Sequence, residues 1–345
     1  MQPVNVQPSD GSGSAVLAEH STTSRLATIK TLLQPVLGKL AVPAVWALVL
    51  VMIPLSRLFS SYFPSWSLVS NTITLGLFLT VISFGQGLVI LSGGIDLSVP
   101  SVIAVAAFFT GSLASSGWAT IPAAICGVAI GSLIGLVNGL IIARSTFPPF
   151  IVTLAVSTIG SALLLGISAG KPGQTAPSGL SSLFDGSLSI AGIPFSAVLL
   201  LLAILVGSWI QFRTRLGRRT YAIGNSPQAA VYAGVRVRIT LVMVYWLAAI
   251  GYGIAGVLLM GYGSGSDLNL GATWLLPSIA VVVVGGSSIA GGNGNYLGTV
   301  GAALLITIIG IDINAVGLSQ GFKQALYGAV IFIALVLGRL GRGRE

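Results

Sequence analysis

Long apolar runs alternate along this chain with short polar breaks, and the runs set its architecture. Ten of them read as helices, at 41–57, 69–91, 99–115, 119–143, 150–169, 195–212, 239–262, 274–290, 297–315 and 322–338. Their lengths match what a helix needs to cross the hydrocarbon layer, about 17–25 residues. In lipid a helix satisfies its own backbone hydrogen bonds, so the runs in series predict an all-α polytopic membrane protein with about ten transmembrane helices. Residues 1–38, rich in Pro, Ser, Gly and Thr, predict a flexible tail ending in a short basic stretch at Arg25, Lys30 and Lys39. The membrane unit then covers 39–340, with a short tail at 341–345. The first apolar run starts near Ala41 and no small-residue cleavage site follows it, so it is expected to remain as the first span.

Composition sharpens this. The chain is 7% charged and 54% hydrophobic, with a mean hydropathy of +0.98; a soluble protein carries about a quarter charged residues. The 46 glycines among 345 residues suit closely packed membrane helices. The net charge of +9 is explained by topology rather than by nucleic acid. With the N-terminus in the cytoplasm and ten crossings, thirteen of the sixteen basic residues fall inside, and only Arg57, Lys171 and Lys323 fall outside. That asymmetry follows the positive-inside rule, and supports an even number of spans with both termini cytoplasmic. The lone Cys126 lies in an apolar run, which leaves no disulfide framework and no paired-thiol or metal site. The lone His20 reads as a solvated tail residue.

Catalysis and energy coupling leave marks, and here they are missing. There is no G-x-x-x-x-G-K-[ST] loop to cradle ATP, no H-E-x-x-H, no G-x-S-x-G and no Cys/His pairing. This disfavours an enzyme. Ion-coupled carriers place charged residues within spans; only Asp312, near the end of the ninth, comes close. If the protein transports, its energy is expected from a partner chain.

Several breaks carry candidate function. In residues 90–108, ILSGGIDLSVPSVIAVAAF, Gly93 and Gly94 end the second run, and Asp96 or Ser98 is placed to accept from the N–H groups opening the next helix, with Pro100 in its first turn. Two readings fit: a capped turn, or a broken-helix segment beside a permeation path. A second Gly-rich break, VVVVGGSSIAGGNGNYLGTVGAALL at 281–305, lacks the Lys and Ser/Thr of a phosphate loop and reads as a tight turn with close helix packing. Gly127, Gly131, Gly135 and Gly139 line one face of the fourth run, with Asn138 beside them, a groove for another backbone within the chain or in a dimer. The longest outer loop, 170–194, is Pro-, Gly- and Ser-rich and is expected to hold at most a short interfacial helix. Residues 213–238, RTRLGRRTYAIGNSPQAAVYAGVRVR, hold six basic residues and no acid. Gly217 and Gly224 read as punctuation, Ser226–Pro227 as a helix start and Gly234 as its stop. A short helix lying along the membrane surface is expected there, touching anionic headgroups or docking on a cytoplasmic motor.

Three phrases carry a resemblance: LVILSGGIDLSVPS (88–101), RTRLGRRTYAIGNSPQAAVYAGVRV (213–237) and IAVVVVGGSSIAGGNGNYLGTVGAAL (279–304). In that order and spacing they resemble the ribose-type permeases of bacterial ABC sugar importers, the branched-chain amino acid/ribose permease family, over about residues 43–338. Pro100 departs from that family's pattern, where Gly is frequent, as does Asn293–Asn295, where a basic residue is often seen. The resemblance implies a ten-helix fold like that of the cobalamin-importer (type II) class. It implies a permease dimer, with a second copy or a sister chain, driven by a cytoplasmic ABC ATPase and fed by a periplasmic sugar-binding protein. ATP and Mg would sit on the partner ATPase, with no cofactor in this chain. The loop before the seventh span would contact the ATPase, which assigns coupling to Gly224, Asn225, Ala229, Ala230 and Gly234. The expected solute is a monosaccharide, with a nucleoside, branched-chain amino acid or autoinducer as the alternative within the class. A facilitator or channel working alone is the alternative outside it.

Overall fold

The computed structural model describes residues 42–59, 65–171, 173–186, 188–190 and 192–342. The expected tail at 1–38 and the last three residues of the C-terminal tail lie outside these. Each of the ten apolar runs holds a helix. They are α1 (Val42–Leu58), α2 (Trp66–Leu91), α3 (Val99–Ser115), α4 (Thr120–Ile142) and α5 (Pro149–Ser168). After the short α6 (Ser178–Ser181) and a two-stranded hairpin, β1 (Ser189–Ile190) with β2 (Ile193–Pro194), comes α7 (Phe195–Arg213). Then follow α8 (Arg215–Asn225), α9 (Pro227–Tyr232), α10 (Val237–Tyr262), α11 (Leu275–Val284), α12 (Tyr296–Ala315) and α13 (Gln320–Arg342).

Among the described residues, six helices are long and apolar enough to cross a membrane: α2, α4, α5, α7, α10 and α12. α1, α3 and α11 are shorter apolar helices. α11 departs most from expectation. The run predicted to 290 stops as helix at Val284, because Gly285 is pressed on α12 and Gly286 turns at φ +91°. A Cβ on Gly285 would lie 2.5 Å from the backbone N of Thr299. α13 runs on to Arg342, past the predicted end of the membrane unit.

The core is built around α10, which packs on α2, α3 and α4. Tyr245, Tyr252 and Phe78 are its largest wholly buried side chains. The glycine face of α4 is what admits α10 and α3 so closely. Gly127 and Gly131 lie on Ala106, Thr110 and Val102 of α3, and Gly135 and Gly139 lie on Tyr245, Ala249 and Val242 of α10. The groove is thus filled from within the chain. The outer sides of α4, α5 and α7 carry exposed Ile125, Ile159, Leu163 and Leu205, the surface a lipid-facing helix presents.

The helices alternate in direction, which gives the bundle two ends. One carries α8 and α9, the α2–α3 and α4–α5 connections and residues 285–295. The other carries the 169–194 loop, tied to 263–266 by the Thr175–Gly265 bridge and by Ser266 N–H donating to Gln174 O (2.9 Å). Arg144 and the six arginines of 213–238 lie at the first end, and Arg57, Lys171 and Lys323 at the second.

Candidate functional site

The Arg-rich segment folds as two helices rather than one. Thr214 caps α8, its hydroxyl accepting from Gly217 N–H at 3.2 Å. Gly217 and Gly224, read from the sequence as punctuation, lie inside α8. Their role is proximity: a Cβ on Gly224 would strike the Leu91 carbonyl and the Gly292 N. Thr220 and Ile223 share that buried side, while Arg215 and Arg218 are exposed. α9 follows the sequence closely. Ser226 caps it by accepting from Ala229 N–H (3.2 Å), Pro227 occupies its first turn, and Gly234 ends it at φ +76°.

The inner side of α8 meets two other backbones. Gly292 N–H donates to Leu91 O at 3.0 Å, which joins the end of α2 to the 285–295 loop. Asn225 Nδ2 donates to Gly292 O (3.1 Å) and to Tyr221 O (2.9 Å). The Tyr221 hydroxyl donates to Gly294 O at 2.6 Å and is held by Gln211 Nε2 at 2.7 Å. Burial raises the Tyr221 pKa, offset in part by the Gln211 bond, so the phenol stays a donor. Gly291, at φ +88°, shows how tight the junction is. A Cβ there would sit 2.9 Å from Gly93 Cα and 3.2 Å from Gly224 Cα, closer than side chains permit.

A polar lattice supports the same end from within. Asp96, between α2 and α3, accepts from Ser98 N–H (2.8 Å) and from the Ser98 hydroxyl (2.6 Å). Asn138 on α4 donates to Ser98 Oγ at 2.9 Å. Thr153 on α5 accepts from Leu97 N–H at 3.0 Å, and Ser157 donates to Ser101 at 3.1 Å. All of Asp96, Ser98 and Asn138 are wholly buried. Burial pushes the Asp96 carboxyl up to about 6, against the pull of its Ser98 bonds. Its second oxygen has no hydrogen-bond partner among the described residues.

These contacts show where several predicted residues stand. Gly93, Gly94, Asp96 and Ser98 stand together at the α8 end; Gly94, Asp96 and Ser98 are buried against α4, α5 and α10, whereas Gly93 is exposed. The Ser98 side chain does not cap α3; Asp96 holds the Ser98 backbone instead. Of the Ala pair, Ala229 is exposed but Ala230 is buried at 2% exposure, packed into its own chain, because the helix turn between them puts them on different faces. Sequence reasoning missed Tyr232, 91% exposed beside exposed Val231. It missed the Tyr221–Gly294 bond as well. A large aromatic at the end of an otherwise small-residue helix was the available signal for the first; nothing local marked the second.

A bundle of apolar helices with a basic two-helix segment seated on one end is a polytopic membrane protein. The chain belongs to the family described as branched-chain amino acid transport system / permease component, whose model matches residues 68–335. It is 34% identical over 259 residues to the ribose import permease protein of Bacillus subtilis strain 168, covering 75% of this chain and 80% of that one. It is also 34% identical over 263 residues to the autoinducer 2 import system permease protein of Escherichia coli strain K12, covering 75% and 79%. The three phrases that carried the resemblance are the three segments that meet at Gly93, Gly224 and Gly291.

Proposed function

We propose that this chain is the permease subunit of an ATP-binding-cassette importer that passes a monosaccharide across the bacterial inner membrane. In this reading the α8 end and both termini face the cytoplasm, and the permease works as a dimer. A partner ATPase binds ATP and Mg, and a periplasmic binding protein delivers the solute. The observation that carries the proposal is α9. It presents Ala229, Val231 and Tyr232 outward, while α8 behind it packs on the end of α2 and is bonded to the 285–295 loop. An exposed aromatic flanked by small residues is what a docking surface offers, and the route behind it is continuous. Gly224 and Asn225 then act as positioning residues within the chain, with Ala229 and Tyr232 as the contact. Gly93–Ser98 steadies the inner end of the path.

The autoinducer 2 permeases match at the same identity as the ribose permease, so autoinducer import is the second reading. The test is reconstitution in liposomes with the partner ATPase and binding protein. Sugar-stimulated ATP hydrolysis and uptake are expected, and both fall in Tyr232→Ala. Uptake that persists undiminished without the ATPase would make the protein a facilitator instead.

A further inference from the structure

The end of the bundle opposite α8 holds a cavity of about 200 Å³ between α2, α11, α12 and α13. Its walls come from the first half of α2, the start of α11, the second half of α12 and the start of α13, so it opens on the far side from α9. Thr307, Lys323 and Tyr327 lie at its buried floor, and Asn314 and Gln320 stand exposed at its rim. Trp274 forms a wall and is held edge-on by Phe78, ring centroids 6.1 Å apart at 87°. The side chains of Thr307, Asn314, Gln320, Lys323 and Tyr327 make no hydrogen bond to any described residue. Lys323 is 8% exposed and has no carboxylate partner among the described residues, which is costly for an ammonium group unless something else meets it.

The geometry points to a binding site for one small polyhydroxylated solute, filled from the side opposite α8. Two amides that both donate and accept, two hydroxyls and one ammonium converge on a space walled by an aromatic face. That set answers a ring of hydroxyls, whose oxygens accept from Lys323 and the amide N–H groups while their protons go to the amide and hydroxyl oxygens. The Trp274 face covers the apolar C–H side of the sugar ring. The volume lies below the usual ~300–1,000 Å³ of ligand pockets, which admits a monosaccharide and excludes an oligosaccharide. The assignment of this end to the periplasmic side, where a binding protein would release its cargo, rests on the function proposed above. The site is then a receiving station on the permease itself, one that adds selection after the binding protein has made its own.

The test is binding of D-ribose, D-xylose and D-galactose to the chain in lipid nanodiscs, followed by calorimetry. At least one is expected to bind. Asn314→Leu, Gln320→Leu and Lys323→Met should each weaken it about tenfold or more, the loss of a hydrogen bond to the bound sugar. Gly328→Ala, on α13 where a methyl meets nothing within 4 Å, should bind as the wild type does. Where a variant fails to insert, acetylation of Lys323 in the wild-type chain reads the same occupancy: saturating sugar should slow it, and an unchanged rate counts against the site. No binding of the three sugars, or equal binding by wild type and all three variants, overturns the site. The importer is judged separately: sugar-stimulated ATPase in the assembled complex that is unchanged in the three variants overturns this site and leaves the proposed function standing.

Discussion

Asn225 at the end of α8 donates to the carbonyl of Gly292, 3.1 Å away and 67 positions later in sequence. The N–H of the same Gly292 donates to Leu91 at 3.0 Å. One residue of the 285–295 loop is thus held by α8 on one side and by α2 on the other. Gly224→Ala drives a methyl into the Leu91 carbonyl and the Gly292 N, both backbone and unable to give way. Overpacking of this kind costs about 1–3 kcal/mol. We expect α8 to loosen, with faster tryptic cleavage after Arg218 and Arg219 and a lowered Tm. Asn225→Ala, which removes only the hydrogen bonds, should cost about 1 kcal/mol.

Ala229 and Ala230 separate docking from folding. Ala229→Trp adds bulk on the exposed side of α9, so the protein should keep its Tm while sugar-stimulated ATPase falls by about tenfold or more. Ala230→Trp fills a position with 2% exposure and should lower the Tm itself. Calorimetric unfolding and ATPase rates, measured on the same preparations, check the contrast.

The glycines of the helices divide in the same way. Gly135 on α4 faces Ala249 and the Tyr245 carbonyl, whereas a methyl added to Gly166 on α5 would meet nothing within 4 Å. Gly135→Val should destabilise by about 2 kcal/mol or more, since backbone must move. Gly166→Ala should be neutral or stabilising by about 0.5–1 kcal/mol, the helix preference alone. Thermal unfolding in detergent distinguishes them.

Asp96 makes stability depend on pH. Its carboxyl is raised by burial to about 6, so the folded chain holds this proton where the unfolded chain has released it. The contribution is fully present below about pH 4 and is lost as pH rises through 6, on the order of 2–3 kcal/mol in all. Asp96→Asn keeps an oxygen to accept from Ser98 and cannot ionise. The Tm of Asp96→Asn minus that of the wild type should therefore grow between pH 4 and pH 7. A difference constant across that range would contradict the assignment.

Most of the helices were legible because apolar runs, caps and prolines are local, though the end of α11 and the whole of α8 were not. Ser226–Pro227 started α9 where expected, and Gly234 stopped it. The charge asymmetry also survived, with Arg57, Lys171 and Lys323 at the end opposite α8. What the sequence concealed was proximity. Gly224 looked like a helix breaker because its neighbours in sequence say nothing about Leu91 or Gly292. Ala230 looked interchangeable with Ala229 until the direction of α9 was known. Asn138 was placed beside the α4 groove, yet its partner Ser98 lies 40 positions away. The cavity at Lys323 draws on four helices, and no one of them announces it.

Where α2, α8 and the 285–295 loop touch, the meeting atoms at Gly93, Gly224 and Gly291 are main chain against main chain. Side chains can swing to absorb a shift; peptide backbones can only travel or separate. A displacement of α8 would therefore meet the helix that ends at Leu91 and the loop that opens α12 through backbone contacts, with no side chain between them at these three glycines to take it up.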